Sequence, residues 1–298
     1  MRAPRSFKSI QTMRIILVLG MGLAACAPAL PSPTEEFDGS KALSWAAWQI
    51  ALGPRIPGST ARAEAADGIV TRLEELDWVV ERQAFEYLGT GLENIAARRG
   101  GEAGPIVILG AHYDTRPKAD MDALNPGQPV PGANDGASGV AVLLEMARVL
   151  SARVPGRAVW LVFFDGEDSG SIAAWDWVVG SREFVSRLTI QPQAAVIVDM
   201  VGDADLQLYW ERNSDPAIES EIWQAAARLG HSAFTSEARH SLLDDHTPFL
   251  EAGIPAVDII DFDYPYWHTT QDTLDKISAA SLEQVGRTLL AWLDGPDS

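Results

Sequence analysis

Short apolar runs that stop abruptly at acids or histidine constrain this chain more than any other feature. Runs at 106–111, 158–164, 194–198, 206–209 and 256–260 have the length and composition of strands. Helical spacing lies at 41–52 and 60–78 before them, and at 138–152, 182–188, 217–229 and 282–293 among and after them. Ser59 or Thr60 stands where a side chain can cap the second helix. Apolar strands alternating with amphipathic helices imply an α/β fold: a three-layer sandwich with a mostly parallel central sheet. Open sheets of that kind bind ligands at the carboxyl edge of their strands.

The polar residues gather at that edge. The first run passes into His112-Tyr113-Asp114, the second into Asp165, Glu167 and Asp168, the third into Asp199, and the last into Asp261 and on to His268. Asp135 sits in Gly132-Ala133-Asn134-Asp135-Gly136-Ala137-Ser138-Gly139, just before a helix. Any one of these has a plain explanation, since an Asp after a strand commonly caps a helix or shapes a turn. Together they would repel one another without a cation. Imidazole with carboxylate suits zinc, and the chain has no calcium loop. Asp165 is expected to shape the turn or pair with a neighbour. The glycine-rich loop lacks the Gly-Lys-[ST] ending of a phosphate loop, and no G-x-S-x-G elbow occurs.

Hydrophobic residues make up 47% and mean hydropathy is −0.01, values of a globular chain. Formal net charge is −18 over 298 residues. Residues 1–25 carry Arg2, Arg5, Lys8 and Arg14 and no acid, which leaves 19 basic residues against 41 acids after them, near −22. Such a surface repels nucleic acid, and none is expected as a partner. The first 25 residues read as a lipoprotein signal peptide: a basic start, eleven uncharged residues, then Cys26, the one cysteine. Cys26 is expected to carry a lipid anchor, holding the protein outside the cytoplasm on a bacterial cell membrane. Residues 26–40 read as a flexible tether and 41–298 as a single catalytic domain, expected to be a monomer.

The motifs His112-Tyr113-Asp114, Gly132 to Val140, Glu167-Asp168, Asp199 and His268-Thr269 resemble the zinc-dependent M28 peptidase superfamily. Gly53-Pro54-Arg55-Ile56-Pro57-Gly58-Ser59 is similar to its N-terminal motif, and the likeness spans about residues 43–293. It implies the phosphorylase/hydrolase-like fold of zinc exopeptidases. Within the superfamily the chain looks more like the animal-type glutaminyl-peptide cyclotransferases than the aminopeptidases. The features are the strand end Phe163-Phe164-Asp165-Gly166-Glu167, the 11 residues 169–179 with Trp175 and Trp177, the segment Asp244-Asp245-His246, and Trp267 before His268. The resemblance implies Asp135, Asp168 and His268 as ligands of one zinc, and Glu167 as general base and acid. It places Asp199 and Asp245 near the reacting amide and Trp267, with Tyr266, at the substrate. The substrates would be peptide or protein N-termini bearing Gln. His112 and Asp199 match the extra ligands of two-zinc aminopeptidases, so that activity remains the alternative. A non-catalytic binder has no need of Glu167. Asp168 stands where many relatives have Glu.

Overall fold

The structure is a computed structural model describing Met1 and residues 36–100, 105–152 and 157–295. The expected signal peptide, Cys26 and most of the tether lie outside the described residues. Among the described residues, no helix is long and apolar enough to cross a membrane.

Two helices open the body, α1 (Gly39–Ala51) and α2 (Thr60–Glu75). The tether expected to reach residue 40 ends earlier, because Phe37 is buried and Asp38 caps α1 by accepting from the Ser40 and Lys41 amides. Ser59 caps α2, its hydroxyl accepting from the Arg62 amide at 3.2 Å. The helix stops three residues short of its expected end, and β1 (Val79–Tyr87) follows, paired with β2 (Thr90–Arg99). Leu88 and Gly89 join them with φ of 47° and 80°, the left-handed pair that matches hairpin twist. The sequence reading passed over this hairpin. No residue of β1 is buried, so it carries no clean apolar alternation.

Next come β3 (Ile106–His112), α3 (Ala137–Ser151), β4 (Ala158–Phe164), α4 (Val179–Ser186) and β5 (Ala194–Asp199). After them run β6 (Leu208–Trp210), α5 (Pro216–Leu229), β7 (Phe234–Ala238), α6 (Thr247–Glu251), β8 (Ala256–Ile260) and α7 (Ala279–Asp294). The six-stranded sheet has the order β1-β2-β4-β3-β5-β8. β2 is antiparallel to both its neighbours and every other pairing is parallel, so β2 alone runs backwards. The mostly parallel sheet of the sequence reading is what the chain forms.

Alternate residues of the strands feed two cores. Val107, Leu109, Val159, Leu161, Val196 and Ile259 pack with residues of α1, α2, α3, α5 and α7. Ile108, Val162, Phe164 and Ile197 pack on the other face with Phe184 of α4 and Phe249 of α6. Cover on both faces is why the strands read as unbroken apolar runs. The run 206–209 does not join this sheet. β6 pairs with β7 in a separate two-stranded sheet, Trp210 packs on Trp223 of α5 at 6.4 Å, and Asp261 takes the Gln207 amide at 2.9 Å. β3, β4, β5 and β8 all end on one edge, and that shared direction assembles the site.

Candidate active site

His112 is the last residue of β3 and lies in register with Phe164, the last of β4. Asp114 ties the two strand ends together. Its Oδ1 accepts from the Glu167 amide at 3.1 Å and its Oδ2 from the Asp168 amide at 3.2 Å. Oδ1 also lies 3.5 Å from His112 Nδ1. Asp165 points away from the edge. Its Oδ2 accepts from Arg62 Nε at 2.6 Å, from Arg62 Nη2 and from the Glu93 amide at 2.9 Å. Burial pushes its carboxyl up to about 7 against the pull of Arg62. The first acid of the loop is thus a structural ion pair, one of the two roles expected for it.

Asp135 does not cap α3, which starts after Gly136 with no side-chain cap. Asp272 fixes the loop instead, accepting from the amides of Asn134 at 2.8 Å and Asp135 at 3.2 Å. Arg55, from the Gly53–Ser59 motif, is fully buried and donates to the carbonyls of Tyr113, Pro131 and Gly132 at 3.1, 3.0 and 2.7 Å. Gly136 is required by close approach, since a Cβ there would meet the His112 ring at 2.5 Å.

Asp135 belongs to two donor groups: His112, Asp135 and Asp199, and Asp135, Asp168 and His268. In the first, His112 Nε2 lies 3.1 Å from Asp135 Oδ1 and 3.2 Å from Asp199 Oδ1. Burial resists charging of His112, but Asp199, Asp114 and Asp135 outweigh it and hold the pKa well above the usual value. In the second, His268 Nε2 lies 3.0 Å from Asp168 Oδ1 and 3.6 Å from Asp135 Oδ2. Burial, then the neighbouring Asp135 charge, pushes Asp168 up to about 6. Asp168 Oδ2 is buried and has no hydrogen-bond partner. A buried carboxylate oxygen with no internal partner is costly unless something external meets it. One imidazole nitrogen and two carboxylate oxygens, open on one side to a cavity, are the donor set of a catalytic zinc. The second group fits a zinc ion on that ground.

The cavity holds about 200 Å³. Asp135, Glu167, Asp168, Asp199, Asp244 and His268 supply its polar lining. Trp177, Leu242, Leu243, Phe262 and Trp267 supply much of the apolar wall. Trp267 stacks on His268 with ring centroids 3.8 Å apart, and Trp177 lies parallel to that ring at 6.1 Å. Glu167 is buried, and burial, helped by Asp168, Asp244 and Asp245, raises its pKa well above the carboxylate range. A buried acid with a raised pKa beside a metal-type cluster is suited to take and return a proton near neutrality.

The profile of Peptidase family M28 matches residues 94–293. The chain belongs to this family. Glutaminyl cyclase from Porphyromonas gingivalis superposes with a TM-score of 0.83 at 34% identity, over 87% of this chain and 99% of that one. A Zn-dependent exopeptidase from Parabacteroides distasonis gives a TM-score of 0.83 at 30% identity, over 88% and 100%. Glutaminyl-peptide cyclotransferase from Bos taurus is 26% identical over 294 residues, 83% of this chain and 80% of the other.

In this M28 protein the structure brings Glu167, Asp199, Asp135, Asp168, His268 and Trp267 to one cavity. Two expected residues fall elsewhere. Asp244, not Asp245, lines the cavity; Asp245 turns to accept from the Ser181 hydroxyl at the start of α4. Tyr266 lies in a neighbouring acidic hollow, with Lys276 Nζ 4.9 Å over its ring. Sequence reasoning gave no role to Asp114, Asp272 or Arg116, which place the ligands. Arg116 Nη1 reaches Asp168 Oδ1 at 3.4 Å, and its Nε and Nη2 each meet the Asp120 carboxylate at 2.7 Å. Asp114 lies two residues after a ligand-type histidine, a spacing that signals a residue orienting the ligands.

Proposed function

We propose that this chain is a zinc-dependent glutaminyl-peptide cyclotransferase, converting N-terminal Gln of peptides and proteins to pyroglutamate with release of ammonia. The observation that carries the reading is the cavity. It is small, walled by Trp177 and Trp267 around His268, and floored by Glu167. A pocket below the usual size range for small molecules suits one short side chain and its α-amine. The similarity to glutaminyl cyclases supports the same reading.

Asp135, Asp168 and His268 would hold the zinc, which supplies Lewis-acid polarisation of the Gln γ-carbonyl. A Glu167 carboxylate oxygen takes the proton from the α-amine as the amine nitrogen bonds to the side-chain carbonyl carbon, Cδ. Glu167 then gives that proton to the leaving nitrogen as the γ-amide C–N bond breaks. Its raised pKa serves both transfers. Asp199 and Asp244 line the same cavity and can accept hydrogens from the amide or the departing ammonia. The ring-closing attack is intramolecular, so the apolar wall has mainly to hold the conformer and exclude water.

A second reading, a two-zinc aminopeptidase, rests on the group His112, Asp135 and Asp199. We favour one zinc because Asp135, Asp168 and His268 all line the cavity, whereas His112 does not. The test offers a Gln-peptide and leucine amide as substrates and counts zinc per chain. Pyroglutamate with one zinc is expected. Free leucine with two would overturn the reading.

We further propose that lipidation of Cys26 anchors the protein outside the cytoplasm. The signal-like residues 1–25 and the cysteine after Leu23-Ala24-Ala25 support this. Cys26→Ser should move the protein from the membrane to the soluble fraction.

A further inference from the structure

The segment between Asp168 and Gly180 folds back on itself. The Ser171 amide donates to the Trp175 carbonyl at 2.9 Å, and Ile172 to Ser169 at 3.1 Å. The Val178 and Val179 amides return to the carbonyls of Glu167 and Gly166, both at 3.3 Å. The ends of this Ω-shaped loop therefore meet beside Glu167. Four of its non-glycine residues, Ser171, Ala173, Ala174 and Val178, have φ between 50° and 66°. Side chains disfavour that region, so contacts from outside the loop must hold its shape.

Two such holds exist. At the loop's start, Arg116 Nη1 donates to the carbonyls of Asp168 at 3.2 Å and Gly170 at 3.3 Å. At its far side, the Tyr87 hydroxyl donates to Asp176 Oδ2 at 2.7 Å and accepts from the Asp176 amide at 3.4 Å. The Tyr87 ring also meets the Trp175 ring edge-on at 5.2 Å. Tyr87 is the last residue of β1, at the hairpin tip. Between the two holds lies Trp177, with the Arg116 guanidinium 4.9 Å over its ring and His268 parallel to it. Trp177 lines the cavity, whereas Tyr87 and Asp176 do not.

We propose that Tyr87, acting through Asp176, is a positioning residue for substrate binding: the β1–β2 hairpin holds Trp177 in place as the cavity wall. The hairpin, otherwise an antiparallel addition to the sheet edge, thereby gains a part in the site. The proposal rests on the cyclase reading only for the identity of the substrate. A wall contact made equally to bound substrate and transition state alters KM and leaves kcat alone. The Tyr87–Asp176 bond is exposed, so removing it leaves the core intact.

The test compares Tyr87→Phe, Asp176→Ala, Trp177→Ala and the double variant Tyr87→Phe with Trp177→Ala, each in the full chain. KM, kcat, zinc per chain and melting temperature are read. Loss of one hydrogen bond should raise KM about threefold in Tyr87→Phe, with kcat and zinc content unchanged. In the Trp177→Ala background, Tyr87→Phe should add nothing. An unchanged KM in Tyr87→Phe would overturn the proposal. So would the same KM rise with and without Trp177, or a fall in kcat that tracks a lower melting temperature. If the wild type releases leucine and no pyroglutamate, the cyclase reading fails. The same series read with leucine amide then judges the hairpin separately.

Discussion

The two donor groups share Asp135 yet sit in different surroundings. In the group with His112 and Asp199, both carboxylate oxygens converge on the same His112 nitrogen, Nε2, at 3.1 and 3.2 Å, and the Met200 amide donates to Asp199 Oδ1 at 2.8 Å. In the group with Asp168 and His268, one buried carboxylate oxygen has no partner, and all three residues face the cavity. Residue types are the same in both, one histidine and two aspartates. Each group leaves one buried atom unmet, His112 Nδ1 in the first and Asp168 Oδ2 in the second; what separates them is that His112 does not line the cavity. A donor group that opens wholly on the cavity leaves a coordination position for substrate, as a catalytic metal requires.

That contrast can be broken in three places. The largest effect is expected at Asp168→Ala, which removes the unmet carboxylate: zinc per chain should fall to near zero by metal analysis, and turnover with it. Zinc retained there would reverse the roles of the two groups. Next, Glu167→Gln should keep zinc and lower kcat by about 10²–10⁴-fold, the usual contribution of a positioned acid–base group. Activity close to wild type would remove Glu167 as the proton carrier. A smaller effect is expected at His112→Gln: one zinc per chain remains and affinity drops by about tenfold, as for a residue behind the ligands. Zinc loss as complete as in Asp168→Ala would merge the groups into one binuclear centre.

The smallest effect concerns a buried acid outside both donor groups. Glu219 of α5 accepts from the Glu211 amide at 2.8 Å, and burial raises its pKa to about 8. Its unfolded value lies at roughly 4.3. The folded chain therefore binds the extra proton between those values, and stability falls as pH rises from about 5 to 8. Glu219→Gln should flatten that part of the melting-temperature profile. An unaltered slope would show that Glu219 is ionised in the fold.

Much of the site was legible because metal and proton chemistry demand particular residue types at strand ends. Glu167, Asp168, Asp135, Asp199, His112 and His268 could all be nominated that way. Asp244 could not be told from Asp245. The two are adjacent and chemically identical, and only the turn into α6 decides which carboxylate meets the cavity. Tyr266 and Trp267 posed the same problem, since neighbouring aromatic residues leave a loop in different directions. The first hairpin carries little signal because its edge strand, β1, has no buried residue and so needs no apolar periodicity. β6 was taken for a sheet strand because three apolar residues look alike whether they pair inside a sheet or beside it.

The sequence by itself determined the alternation of buried strands and helices, since burial on both faces requires unbroken apolar runs. It also determined which chemistry the strand ends can perform, since imidazole and carboxylate in number imply a cation and a proton carrier. The tertiary structure decided which donors meet each other and which are left open to a ligand. It also decided that a tyrosine 89 residues before Asp176 stands behind the wall of the cavity. Those outcomes depend on side-chain direction and on contacts distant in the chain. Neither is encoded in the local pattern of residue types.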